Sequence, residues 1–172
     1  MSQKKVVLIT GANSGFGRLT AESLARKGYS VFATLRDIDG RNAEPANQLR
    51  ALAASENLDL NLVELDLQDE VSIRKAVEEV ITRAGRLDVV VNNAGVVQSG
   101  VTEAFSVDEA RSLFETNFFG AYAVAREALP QLRKQREGLF VNVSTGVSRT
   151  PMPFMGFYSA SKAALETLFE QL

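Results

Sequence analysis

Residues 158–162 read Tyr-Ser-Ala-Ser-Lys, which sets a phenol and an ammonium at i and i+4, one face of a helix. Free tyrosine titrates near pH 10 and is a poor acid or base at neutral pH. A neighbouring cation stabilises the phenolate, and a tenfold gain in acidity corresponds to about 1.4 kcal/mol. A tyrosine so placed can give a proton to a carbonyl oxygen or take one from an alcohol. By itself the pair reads equally as a surface tyrosine beside a solvated lysine. The chain has no cysteine and no histidine. Disulfides, thiol nucleophiles, Ser-His-Asp triads and zinc sites with Cys or His ligands are therefore excluded. Catalysis must come from hydroxyls, amides, carboxylates, lysine or a borrowed cofactor.

A second constellation lies near the N-terminus, in Thr10-Gly11-Ala12-Asn13-Ser14-Gly15-Phe16-Gly17. It follows an apolar run and precedes a helical period, so the backbone amides of residues 11–17 sit at a helix N-terminus. Glycines there let a pyrophosphate approach those amides closely. The spacing G-x-x-x-G-x-G serves either a tight strand-to-helix turn or a dinucleotide. Its position, opening the first β-α unit, favours the dinucleotide. Asp66, in Leu65-Asp66-Leu67, reads as a solvated loop acid or as an acceptor for an adenine amino group. Asn92-Asn93-Ala94-Gly95 suits a crevice wall or an ordinary turn. The segment Ala33-Thr34-Leu35-Arg36-Asp37 discriminates between cofactors. An acid is expected at residue 35 for the ribose 2′-hydroxyl of NAD, and Leu35 cannot accept a hydrogen bond. Arg36 follows, and a guanidinium matches a 2′-phosphate bidentately, which selects NADP over NAD. Asp37 either pairs with Arg36 or fills the NAD role one residue late.

The elements that must position these groups alternate. Apolar runs at 6–9, 31–34, 60–65, 89–91 and 140–143 read as buried strands, continuous because helices cover both faces. Phe16, Leu19, Thr20, Ser23 and Leu24 set the period of a first helix. Ile73, Ala76, Val77, Val80 and Ile81 repeat it after Asp69 in the N-cap position. A longer helix is expected over 107–134, ended or kinked by Pro130, and a last one begins near Tyr158. Residues 37–45 read as a polar connection and 146–156 as a loop. One β-α-β series accounts for the chain: an α/β doubly wound parallel sheet of order 3-2-1-4-5, forming a single domain over 1–172. The 172 residues are 45% hydrophobic and 23% charged, with a formal net charge of −2. That balance excludes disorder and gives no electrostatic case for a nucleic-acid or membrane partner. Four apolar residues near the N-terminus are too few for a signal-peptide core or a membrane span, so a soluble, cytoplasmic protein is expected.

Together the segments resemble the short-chain dehydrogenase/reductase family. They match at Thr10-Gly11-x-x-x-Gly15-x-Gly17, Asp66, Asn92-Asn93-Ala94-Gly95, Asn117-Phe118-Phe119-Gly120 and Tyr158-x-x-x-Lys162, over nearly the whole chain. The stretch 33–37 and Ala163-Ala164-Leu165-Glu166 look most like its NADP-using steroid and retinol dehydrogenase branch. The resemblance implies a Rossmann fold and an oxidoreductase that interconverts a secondary alcohol and a ketone or aldehyde by hydride transfer. It implies a catalytic tetrad of Asn117, Thr145, Tyr158 and Lys162. Tyr158 would be the proton donor or acceptor, Lys162 would also hold the nicotinamide ribose, and Asn117 would anchor a relay water. Cofactor contacts are expected from Gly11, Asn13, Ser14, Gly15, Phe16, Gly17, Arg36, Asp66, Leu67, Asn93, Ala94, Gly95, Tyr158 and Lys162.

Two departures bear on that expectation. Thirteen residues before the tyrosine, where the family has serine, stands Thr145; its hydroxyl still donates. Ser144 is the register alternative, and Ser148 a loop residue. The family also continues beyond the tyrosine helix with two further strands and a substrate-covering segment, so the 172 residues are expected to be part of a longer enzyme. Without that part, the fifth strand is a bare edge with an apolar face. The rival expectation is a non-catalytic dinucleotide-binding or regulatory protein. Met152, Phe154, Met155 and Phe157 suggest an apolar pocket wall or ordinary packing. The resemblance implies a homodimer or homotetramer, and the substrate's identity lies beyond the sequence.

Overall fold

The computed structural model describes residues 4–172. Five parallel strands form one sheet in the order β3-β2-β1-β4-β5: β1 (Val6–Ile9), β2 (Ser30–Leu35), β3 (Leu60–Glu64), β4 (Val89–Asn92) and β5 (Leu139–Asn142). The expected order and all five strands are present, with no bound moved by more than one residue. Alternate residues of each apolar run go to opposite faces. Val6, Leu8, Phe32 and Val90 pack on one layer with Ile73, Ala76, Val77 and Val80 of α3 (Glu70–Ala84) and Val124, Ala128 and Leu132 of α5 (Gly120–Gln135). Val7, Ile9, Val31, Ala33 and Leu35 pack on the other, with Ala21 and Ala25 of α1 (Gly15–Arg26) and Ala46 and Leu49 of α2 (Ala43–Glu56). Each Val or Leu so buried contributes about 1.5–3 kcal/mol of transfer free energy.

Several local expectations change. The α2 helix begins inside the stretch read as a polar connection. Pro45 lies in its first turn, where a missing N–H costs no helical bond. In α1 the buried face is Gly17, Ala21 and Ala25, while Phe16 and Leu19 of the expected stripe are 77% and 63% exposed. The small residues let α1 approach the sheet closely. Asp69 caps α3 as expected, its carboxylate accepting the Val71 amide at 2.8 Å.

The helix expected over 107–134 is α4 (Val107–Phe114), a π-helical segment (Glu115–Phe119) and α5, and Pro130 sits within α5 without ending it. Single π turns inside helices widen the backbone by one residue and turn a side chain inward. Here the inward residue is Asn117, 1% exposed. The last helix, α6 (Gly156–Phe169), begins just before Tyr158. Among the described residues β5 pairs only with β4, and Leu139 and Val141 are 55% and 40% exposed. No helix among them is long and apolar enough to cross a membrane.

Candidate active site

The expected cofactor segments at 11–17, 36, 66–67 and 93–95 follow the carboxyl ends of β1, β2, β3 and β4, where doubly wound sheets bind ligands, whereas Tyr158 and Lys162 lie in α6. A crevice of roughly 500 Å³ opens there. Gly11, Asn13, Ser14, Arg36, Asp66, Leu67, Asn93, Ala94 and Gly95 line it, as the sequence leads one to expect. Gly15, Phe16, Gly17, Asn117, Thr145, Tyr158 and Lys162 are not part of that lining.

Two glycines are required by close approach. At Gly11, with φ of +69°, a Cβ would lie 2.8 Å from the Ala94 Cβ. At Gly17 it would overlap the Gly11 carbonyl oxygen and the Asn93 side-chain Nδ2. The crevice floor is thus backbone against backbone. Thr10, 1% exposed, fastens it. Its Oγ1 accepts the amides of Asn93 and Ala94, each at 3.0 Å, and the Asn93 side chain donates to the carbonyls of Thr10 and Gly11. Thr10 was legible only as a motif letter; its double acceptor role is a tertiary fact. Thr34 is also among the lining residues; its hydroxyl is buried and has no hydrogen-bond partner among the described residues.

At the end of β2, Leu35 is 2% exposed and Arg36 is exposed on the rim. Asp37 pairs with no cation among the described residues. Its carboxylate accepts the Arg41 amide at 2.7 Å, so it serves its own loop. Arg41 also reaches the rim, a cation absent from the sequence-based set. Asp66 lines the crevice, and its carboxylate accepts the Gln68 amide at 3.0 Å.

Behind Gly95, at the other end, buried polar groups converge. Asn117 accepts the Val96 amide at 2.8 Å and donates to the Val96 carbonyl at 2.9 Å and the Ser161 hydroxyl at 3.1 Å. Lys162, 4% exposed, donates from Nζ to the Val143 carbonyl at 2.9 Å. A Cβ on Gly95 would lie 3.1 Å from Asn117 Oδ1 and 3.2 Å from Lys162 Nζ, so this glycine makes room for both groups. Burial pushes the Lys162 ammonium below the ordinary lysine range. Tyr158 lies one helical turn before it and is half-buried.

The two hydroxyls that follow β5 part company. Ser144 donates to Glu166 of α6, as does Ser148 at 2.6 Å, and Arg149 binds the other carboxylate oxygen at 3.0 Å. The Ser144 and Ser148 hydroxyls, with the Arg149 guanidinium, hold the Glu166 carboxyl at about 2. Ser144 is thereby engaged away from the crevice. Thr145 caps a short 3₁₀ turn (Gly146–Ser148), its Oγ1 3.5 Å from the Val147 amide.

Residues 5–172 match the family model described as short chain dehydrogenase. Among characterised relatives, a 3-ketodihydrosphingosine reductase of Bacteroides thetaiotaomicron is 37% identical over 170 residues, 99% of this chain and 58% of that protein. Retinol dehydrogenase 8 of Bos taurus is 34% identical over 171 residues, 98% of this chain and 53% of that protein. The chain therefore spans little more than half the length of these relatives. A solved short-chain dehydrogenase from Streptomyces avermitilis superposes with a TM-score of 0.89 at 38% identity, over 99% of this chain and 60% of that one. An alcohol dehydrogenase from the archaeon Thermococcus sibiricus, complexed with 5-hydroxy-NADP, gives 0.88 at 29% identity, over 98% and 69%.

Proposed function

The chain belongs to the short chain dehydrogenase family, in its steroid- and retinol-dehydrogenase-like branch, and from that premise we propose an NADP(H)-dependent oxidoreductase that interconverts a secondary alcohol and a ketone or aldehyde. The observation that carries the reading is the buried Lys162 ammonium, one turn from Tyr158 and directly behind Gly95 at the inner end of the crevice.

The residues present suit a dinucleotide. Amides at the start of α1, with no Cβ at Gly11 or Gly17, can donate to a pyrophosphate. Asn13, Asp66 and Asn93 offer polar side chains along the crevice. When bound, the nicotinamide supplies hydride to a carbonyl carbon. Tyr158 donates the proton that the carbonyl oxygen then takes up, or accepts it in reverse. Lys162 offers its remaining N–H donors to a ribose. Thr145 holds the carbonyl oxygen, and the engagement of Ser144 by Glu166 supports Thr145 for this part. Asn117, bonded to both Val96 and Ser161, keeps α6 and the 93–96 segment in register and orients water.

Preference for NADP is supported by the buried apolar Leu35, the exposed Arg36, and the commitment of the Asp37 carboxylate to the Arg41 amide. The complex of the Thermococcus sibiricus relative with an NADP derivative points the same way. Titration with NADPH and NADH, followed by NADPH consumption across a panel of apolar ketones, tests the whole reading. It predicts tighter binding of NADPH and turnover with some ketone. Arg36→Ala is expected to lower the NADPH-over-NADH affinity ratio about tenfold, the worth of one charge-assisted contact. An unchanged ratio removes that contact, and binding without turnover on any ketone returns the protein to the non-catalytic reading.

A further inference from the structure

The loop between β2 and α2 carries an acid beside a site read as receiving a phosphate, and its hydrogen bonds suggest why that acid is tolerated. Asp37 sits in the left-handed region, φ +49°, which Asp and Asn adopt at low cost. Its carboxylate accepts the Arg41 amide at 2.7 Å, and its carbonyl accepts the amides of Gly40 and Asn42 at 3.3 and 3.0 Å. A Cβ at Gly40 would collide with that carboxylate, so the turn closes tightly over it. Asn42, 7% exposed, ties the far side down: it donates to the Arg36 carbonyl at 2.6 Å and accepts from the Asn13 side chain at 3.2 Å. The turn thus folds back onto both the glycine-rich segment and the residue that follows β2. Arg36 and Arg41, five residues apart, both line the crevice, and neither forms an ion pair among the described residues.

We propose that Arg41 is a second specificity-determining cation for the 2′-phosphate of NADP(H), and that Asp37 is the positioning residue that brings it to the crevice. This rests on the NADP reading above. Arg41 supplies donors that a phosphate accepts and a ribose 2′-hydroxyl does not need. Asp37 contributes through geometry against the sign of its own charge, which makes the two roles separable.

The test is the ratio of NADPH to NADH affinity, read by fluorescence titration, for wild type, Asp37→Ala, Asp37→Asn and Arg41→Ala, with thermal melts to confirm folding. Asparagine keeps the left-handed backbone and one oxygen for the Arg41 amide; alanine keeps neither. The ratio is expected to fall about five- to tenfold in Asp37→Ala and in Arg41→Ala. In Asp37→Asn it should hold or rise. If only charge mattered, both Asp37 variants would raise the ratio, and that result overturns the proposal, as does an unchanged ratio in Arg41→Ala. A wild type that binds both nucleotides equally, or neither, overturns the NADP reading and this inference together. A wild type that prefers NADPH while Asp37→Ala keeps or raises the preference overturns the inference alone.

Discussion

At the β1–α1 end of the crevice the walls are backbone amides, missing Cβ atoms and two exposed guanidiniums, all supplied by short loops that follow β1 and β2. At the α6 end, behind Gly95 and outside the crevice lining, lie buried side chains drawn from distant segments. Asn117 comes from the π turn, Lys162 and Ser161 from α6, and their partners from residues 96 and 143. The first end suits recognition of phosphate, which needs donors and close approach. The second suits chemistry, because a charge held out of water acts strongly on its neighbours. The difference teaches that the proposed binding and the proposed proton transfer draw on different residues, so mutation can test them separately.

Gly17→Ala should break the binding end hardest. Its new Cβ overlaps the Gly11 carbonyl and the Asn93 side-chain Nδ2, and backbone displaced there costs more than ~3 kcal/mol, about a hundredfold in dinucleotide affinity. Titration reads that loss, and wild-type affinity in the variant would show that the floor is not the site.

Lys162→Met should sharpen the contrast from the other side. Turnover is expected to fall by about 10² or more, the lower end of what acid–base assistance supplies. The unliganded variant should meanwhile melt about 2–4 °C higher, because a buried, desolvated charge has gone. The sign with pH follows. Burial lowers the folded-state value of Lys162 below 10.5, so the unfolded chain binds the proton more readily. Wild-type stability therefore gains as pH rises through the window ending at 10.5, and Lys162→Met loses that gain.

The smallest expected effect is at Glu166, which ties the 144–149 segment to α6 without touching the crevice. Its carboxyl, held at about 2 against an ordinary value of 4.5, contributes stability above the ordinary value. That contribution is lost as pH falls from about 4.5 through about 2. Melting curves of Glu166→Gln should be flatter over that window than those of the wild type, with the NADPH ratio unchanged.

The lining of the proposed binding end was largely legible in the sequence because its residues lie close to strand ends: Gly11, Arg36, Asp66 and Asn93 each sit just past a strand. Arg41 was not, because an apparent polar connection conceals a turn that folds back on Asp37 and the start of α2. The chemical end was legible only through resemblance. A residue 41 positions before Tyr158 cannot be placed behind Gly95 by spacing, and the π segment that turns Asn117 inward has no periodic signature. The outer face of α1 misled for a plain reason. Its large apolar residues are exposed, while alanines and glycine, weak in any hydrophobic count, carry the packing.

The claim at the centre is that Tyr158, with Lys162 behind it, moves the proton while the glycine-lined end holds the coenzyme. Consumption of NADPH in a single turnover on a reactive ketone, with the coenzyme saturating, tests it in wild type and Tyr158→Phe. The account predicts full consumption by the wild type and none on the same timescale by a variant that still binds NADPH. Consumption by Tyr158→Phe at the wild-type rate would contradict it.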